Sequence, residues 1–366
     1  MARRKPIDRL FLILTIVLIL VGLFIFSSAS LGLLAREGIA FSAVLLNQLF
    51  GLFIGTIVLC IAMYIPPAFL QKYAYHLFGA AALLTLLVYI PGISATHGGA
   101  NRWIDLGAVT LQPAEALKIG FVFAFAAWIA YVKQHIREWK LGILPLCGLL
   151  FVCLLLLVFQ PDLGTFLVIA ATGMGMFIAG GGKWSHVLAI TGTAASALLV
   201  LGLTFDYVHR RLVTFLDPAA DALGAGYQIQ QSLIAIGSGQ WFGRGFGQSV
   251  QKFNFLPEPV GDSIFAVFAE EWGFVGACIL IALFIAFALR GFRIAGSART
   301  IFSAMTVTGI VLLIVIQSFV NIAAMLGIFP LTGMPLLFVS QGGTALMIAM
   351  GAVGVVLSIS RNERTT

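Results

Sequence analysis

Ten apolar runs, each about as long as a bilayer's hydrocarbon core is thick, constrain this chain more than any other feature. A helix rises 1.5 Å per residue, so about 20 apolar residues cross a core of roughly 30 Å. On that ruler, spans fall near residues 10–32, 43–65, 74–91, 113–132, 141–159, 163–181, 186–205, 263–289, 301–327 and 335–359. In lipid each backbone polar group must be satisfied within its own segment, which makes these runs helices. The chain has 366 residues, 60% of them hydrophobic and only 10% charged, too apolar for a water-solvated core. The expected fold is an all-α polytopic membrane protein with about ten transmembrane helices.

Charge supplies the orientation. With the N-terminus inside, the inner segments hold 14 of the 21 Lys and Arg residues, as the positive-inside rule requires. Both termini then lie in the cytoplasm, and the protein is a multi-pass membrane protein. Ser28-Ala29-Ser30 resembles a cleavage site, but the run Leu10–Phe26 exceeds a secretory core of roughly 7–15 residues. An uncleaved first span is expected. No internal repeat or soluble domain interrupts residues 1–366, so a single transmembrane domain is read, with a large extracytoplasmic loop, 206–262, between the seventh and eighth spans.

That loop is longer than the roughly 12–15 residues beyond which structureless connections become uncommon. Its aromatic and aliphatic residues, Tyr207, Tyr227, Ile229, Trp241 and Phe246 among them, predict short amphipathic helices at the membrane interface. Several function classes are excluded. The four cysteines lie in apolar runs without a CxxC pair, and the five histidines show no HxxxH spacing, so neither a disulfide framework nor a His/Cys metal site is expected. The glycines of GSGQWFGRGFGQS (Gly237–Ser249) have no βαβ context and no GK[ST], so a nucleotide loop is rejected and tight interfacial turns are favoured; the sharper alternative sets Arg244 against an anion. No nucleic-acid partner is expected.

The stretch Gln251–Gly273 carries four of the 14 acidic residues at a membrane boundary. Acids cost about 2.5–3.5 kcal/mol each at mid-bilayer, so their default reading is functional. Pro257 and Pro259 stiffen the approach and hold Glu258 out of helix. Asp262 stands at the mouth of the eighth span, where it either caps the helix or, partly dehydrated and so raised in pKa, serves as a general base. Glu270 and Glu271 lie roughly 12–14 Å deeper and read as internal pairing partners.

Other polar positions repeat the choice between structure and substrate. Glu115 and Lys118 in QPAEALKIG share a helix face, as an ion pair or as the lining of a polar cavity. Asp162 in QPDLGT caps the sixth span or faces the same cavity. Arg102, beside Trp103 in HGGANRWIDLG, is an interfacial anchor or a phosphate contact. Ser340 and Gln341 lie inside the apolar run of the tenth span, beyond the turn bracketed by Pro330 and Pro335, as satisfied groups of a kinked helix or as cavity lining.

Taken together, GGANRWIDLG, LQPAEALKIG, QPDLGT, the run from Asp217 to Gly276, and NIAAMLGIFPLTGMPLLFVSQGGTAL resemble, in order, the SEDS family of peptidoglycan glycosyltransferases, which includes FtsW and RodA. QSVQKFNFLPEP is closer to the FtsW and sporulation branch. Val260 and Gly261 replace the family's usual His and Thr, Gln341 stands where SYGG has Tyr, and Ala114 where QPSE has Ser; no acid is lost.

The resemblance implies polymerisation of lipid II onto a growing glycan strand at the outer membrane face during cell division. Asp262 would be the base for the acceptor 4-hydroxyl, in an inverting reaction that expels polyprenyl pyrophosphate. It implies Arg102, Arg244 and Lys252 as pyrophosphate contacts, with Glu115, Lys118, Asp162, Glu258, Ser340 and Gln341 in the substrate site. A divalent cation, Mg2+ or Mn2+, could assist at the pyrophosphate, although no ligand cluster in the sequence specifies one. A class B penicillin-binding protein (transpeptidase) and other divisome membrane proteins are the implied partners. A RodA-type elongation polymerase, a flippase for the same precursor and a non-enzymatic scaffold are the competing readings.

Overall fold

The computed structural model describes residues 6–35, 41–90, 94–97, 100–105, 110–204, 209, 213–217 and 224–361. Helices overlap the ten expected spans, but the third begins earlier than expected and the last only at Gly343, residues 335–342 lying outside any helix: α1 (Arg9–Ser30), α2 (Phe41–Ala62), α3 (Pro67–Leu86), α4 (Pro113–Val132), α5 (Leu144–Val158), α6 (Leu163–Ala179), α7 (Trp184–Thr204), α9 (Ile264–Ser297), α10 (Ile301–Met325) and α11 (Gly343–Ser360). One further helix, α8 (Ala225–Ser238), lies in the long outer segment. Among the described residues, seven helices are long and apolar enough to cross a bilayer. Of the other three, α6 falls short at 17 residues and α3 carries Gln71, Lys72 and His76 in its first half. Local chemistry sets several boundaries. Pro67 and Pro113 open α3 and α4, where the missing N–H costs nothing. Asp8 and Thr300 cap α1 and α10 through their side chains.

Burial ranks the helices. The most apolar 18-residue windows of α11, α4 and α10 are 83%, 72% and 67% buried within the protein, against 22% for α2, so the first three form the centre of the bundle. Small residues let α11 take that place. A side chain at Gly354 would meet the Leu59 carbonyl at 2.5 Å, so α2 lies directly against α11. Outward residues such as Leu20, Phe53 and Phe151 stay exposed, as lipid-facing positions should. The four cysteines form no disulfide.

Two features are not announced by helical patterning. The HGGANRWIDLG stretch forms a small antiparallel sheet in the order β1 (Ser94–His97), β2 (Ala100–Asp105), β3 (Thr110–Leu111), with Ile104 opposite both Ser94 and Leu111. Within the outer segment 206–262, α8 is an amphipathic helix as expected, while residues 239–263 run through successive turns. Tyr207, Arg210 and Arg211 lie outside the described residues.

Candidate active site at the mouth of the ninth helix

The turn-rich loop is fixed by a break in α9. Gly273 has φ 65° and ψ −166° inside that helix, a conformation open to glycine and strained for other residues. Such a break strands backbone groups in an apolar setting, where each needs a partner. The loop supplies them: Arg244 N–H and Gly245 N–H donate to the Glu270 and Glu271 carbonyls, each at 3.0 Å. Phe274 N–H and Val275 N–H donate to the Gln240 and Trp241 carbonyls at 2.8 and 3.1 Å. The two strands of chain approach so closely that a side chain at Gly243 would meet the Glu271 carbonyl at 2.1 Å. The glycine motif is therefore a docking seam for the broken helix.

The two deep acids hold the next part of the loop. Glu270 is fully buried and accepts from Ser249 Oγ at 2.6 Å and from the Val250 and Gln251 amides. Glu271 pairs with Lys252 Nζ at 2.7 Å and accepts from Ser28 Oγ on α1. Lys252, expected at a pyrophosphate, is fully buried in this cluster, with Nζ also donating to Ser28 Oγ, so its ammonium has no open side toward the outer surface. Arg244 keeps 42% of its side chain exposed and touches Glu270 only at 3.6 Å.

Asp262 is reached from three directions. Its Oδ1 accepts from Gln228 Nε2 of α8 at 3.0 Å, and the same amide donates to Ser263 Oγ at 2.9 Å. Its backbone carbonyl accepts from Asn321 Nδ2 of α10, which also donates to the Met334 carbonyl, both at 2.8 Å. The residue before Gly261, Val260, accepts from the Gln341 amide at 2.8 Å. Asp262 is not the cap of α9: Ser263 occupies that position and makes no capping bond with its side chain. The side-chain bonds from Gln228 and Ser263 both fall on Oδ1.

The carboxylate forms one wall of a cavity of about 160 Å3, lined also by Thr214, Phe215, Gln228, Ile229, Leu331 and Gly333. The residue as a whole keeps some solvent contact, but its carboxylate is enclosed by protein, and that enclosure governs its protonation. Burial pushes the carboxyl up from the ordinary 3.8 to about 6. The Gln228 bond offsets part of the rise, the charge of Glu258 adds to it, and bonds from its own backbone and Ser263 lower it. Glu258 itself is exposed, with φ 46° between its two prolines.

None of the remaining predicted positions lines this cavity; each is held in structural bonds of its own. Glu115 and Lys118 form a buried ion pair at 2.8 Å, and Lys118 Nζ also donates to Gln317 Oε1. Gln317 in turn donates to the Pro335 carbonyl at 3.2 Å. Asp162 is buried and caps α6, accepting from Thr165 N–H and Oγ. Arg102 donates to the Gln160 and Pro161 carbonyls, tying the sheet to the QPD turn. Ser340 is buried and accepts from the Leu336 amide at 2.8 Å. Gln228 and Asn321 are the residues that sequence reading missed. Gln228 left one trace there, a glutamine-rich turn in an otherwise amphipathic helix. Among the described residues no three His, Cys, Asp or Glu side chains converge as a cation cage would need.

Residues 8–365 match the family model described as cell cycle protein, FtsW/RodA/SpoVE. The chain is 35% identical over 360 residues to stage V sporulation protein E of Bacillus subtilis, covering 98% of both chains. It is 37% identical over 359 residues to the "Probable peptidoglycan glycosyltransferase FtsW" of Alcanivorax borkumensis, covering 96% of this chain and 92% of that one. Its fold matches a chain of a peptidoglycan synthase complex, solved for its coordination of polymerization and crosslinking, with TM-score 0.80, 28% identity, and coverage of 97% and 98%. It also matches the Thermus thermophilus rod shape determining protein RodA, with TM-score 0.69 and 24% identity over 98% of each chain, a likeness of fold.

Proposed function

Because the chain belongs to the FtsW/RodA/SpoVE family, we propose that it is a peptidoglycan glycosyltransferase that polymerises lipid II at the outer face of the cytoplasmic membrane. The observation that carries the reading is Asp262: a carboxylate in a cavity wall, one oxygen held by Gln228, with a pKa pushed up to about 6. A base with a pKa just below the working pH is ionised yet still basic enough to take a proton.

In this reading Asp262 Oδ2 accepts the proton of the acceptor sugar's 4-hydroxyl. That oxygen bonds to C1 of the donor while the C1–O bond to pyrophosphate breaks, with inversion at C1. The proton leaves Asp262 to water and the polyprenyl pyrophosphate departs as an anion. The cavity's roughly 160 Å3 is below the roughly 300–1,000 Å3 of sites that engulf a small ligand. It therefore takes the reacting end of one sugar, and the rest of the lipid-linked substrate lies outside it. Of the three outer cations named from sequence, Arg244 has the open guanidinium a pyrophosphate requires.

The FtsW and sporulation names of the relatives support a division-type role. A class B penicillin-binding protein is the proposed partner, supported by the likeness to the synthase complex, and other divisome membrane proteins are expected around the pair. The test is reconstitution with labelled lipid II, with and without that transpeptidase. Wild type should make glycan polymer and Asp262→Asn none. Equal polymer from both would remove Asp262 from the chemistry, and precursor movement across a sealed bilayer without polymer would favour the flippase reading.

A further inference from the structure

The opposite end of the bundle carries a site that the glycosyltransferase reading does not use. Two cavities, of about 630 and 610 Å3, flank the start of α10 and share Ala179, Ile301, Ala304 and Met305. The ends of α4, α6 and α9 complete them. This is the end at which Asp8, before α1, pairs with Arg290 of α9 at 2.6 Å. The positive-inside rule places it in the cytoplasm.

The walls divide by chemistry. Ile178, Phe292 and Leu312 extend the apolar surface along the membrane side. Lys133, Arg137 and Arg299 stand at the rim, all exposed. Among the described residues no Asp or Glu lines either cavity. An apolar trough with a basic rim on the cytoplasmic side fits acyl chains below and a phosphate above. A zwitterionic headgroup carries its own cation beside the phosphate and would meet three more. A soluble phosphate would leave the apolar walls uncovered.

We infer that this groove binds an anionic phospholipid of the cytoplasmic leaflet. Arg137 is partly spent on the Gly181 carbonyl, to which its Nε donates at 3.2 Å, but a guanidinium keeps further donors in the same plane. Each basic residue near a membrane surface contributes roughly 1 kcal/mol, or about fivefold in affinity, so removing two should weaken binding about 25-fold.

The test uses the full-length protein in neutral detergent. Phosphatidylglycerol or phosphatidylcholine of matched chains is titrated while thermal stability and lipid adducts in native mass spectra are followed. Wild type should retain phosphatidylglycerol preferentially and be stabilised by it at lower concentration. Arg137→Gln/Arg299→Gln should lose that preference about 25-fold while behaving as wild type in phosphatidylcholine. Ala304→Trp, which fills the shared apolar wall and leaves every cation in place, should lose binding as well. Equal responses to the two lipids, an undiminished preference in both variants, or preferential capture of polyprenyl phosphate over phosphatidylglycerol would each overturn the assignment. None of these readouts depends on glycan synthesis, so the result stands apart from the catalytic proposal.

Discussion

Replacing Gln228 by Leu tests the geometry around Asp262 most directly. The amide donates to one carboxylate oxygen at 3.0 Å and thereby favours the ionised form, against burial, which opposes it. A hydrogen bond to a charged group is worth about 1.5–3 kcal/mol, and each pH unit about 1.36 kcal/mol, so losing it raises the Asp262 pKa by roughly 1–2. The acid limb of the turnover profile should then move from about 6 to roughly 7–8. The sign follows from the base needing to be ionised: activity rises with pH through the pKa, and a raised pKa delays the rise.

At pH 7 the ionised fraction falls from about nine-tenths to between about one-half and one-tenth, a loss of roughly 2- to 10-fold in turnover. At pH 9 the variant should recover to near the wild-type rate. The assay is initial-rate polymerisation of labelled lipid II from pH 5 to 9, at saturating substrate so that turnover is read apart from binding. A merely structural role for Gln228 would lower activity equally at every pH. A wild-type profile without a limb near 6, or a variant limb that does not move, refutes the assignment of Asp262 as base.

Three further perturbations probe what holds the site. Asp262→Asn should abolish polymer yet raise the thermal midpoint at pH 7.5. Ionising a carboxyl whose folded pKa lies near 6 rather than 3.8 costs up to about 3 kcal/mol, at about 1.36 per pH unit, a penalty absent below 3.8 and complete above about 6; no stabilisation, measured by thermal melt, would contradict the burial argument. Lys252→Met alone should destabilise by about 3–5 kcal/mol by orphaning Glu271, with much of the loss recovered in Lys252→Met/Glu271→Leu; a double-mutant cycle on denaturation midpoints reads the coupling. Gly243→Ala should lower the melting temperature and polymer yield together, because φ is 78° and the new methyl meets the Glu271 carbonyl, a strain of order 1–3 kcal/mol before the clash. Gly237→Ala, with open space around it, should do neither.

What sequence could and could not show divides along locality. The helical runs, and capping and pairing as one of two readings for Asp162 and for Glu115 with Lys118, are legible because run length, N-terminal acids and i,i+3 spacing are local signals. The pairing expected for Glu270 and Glu271 was legible as a need, since buried acids require partners, but not as an identity. Ser28 and Lys252 lie 243 and 19 residues from Glu271, and no local period connects them. The same reason misplaced Lys252 at the outer surface: a cation in a polar loop reads as solvated until its acid is found. The sheet of residues 94–111 went unread because its strands are four, six and two residues long, too short for alternation to emerge. Gln228 went unread because a neutral amide has no charge to flag it, and its role exists only once α8 lies beside the mouth of α9.

The break at Gly273 explains why so many buried charges gather where the loop docks on α9. An unbroken α9 would satisfy its own backbone and offer the loop nothing to bind. With the break, four backbone bonds join residues 240–245 to residues 270–275, and the two acids preceding Gly273 point their side chains into residues 249–252. From there a short run of turns ends at Asp262, whose far side is held by Asn321 and, through Val260, by the connection into α11. A carboxylate kept where ionisation is costly would otherwise move toward water and lose its raised pKa. The seam and the Lys252–Glu271 pair oppose that movement from α9, and the Asn321 clasp opposes it from α10. Loosening any of them should therefore show first as an acid limb drifting back toward the ordinary carboxylate range, before the fold itself fails.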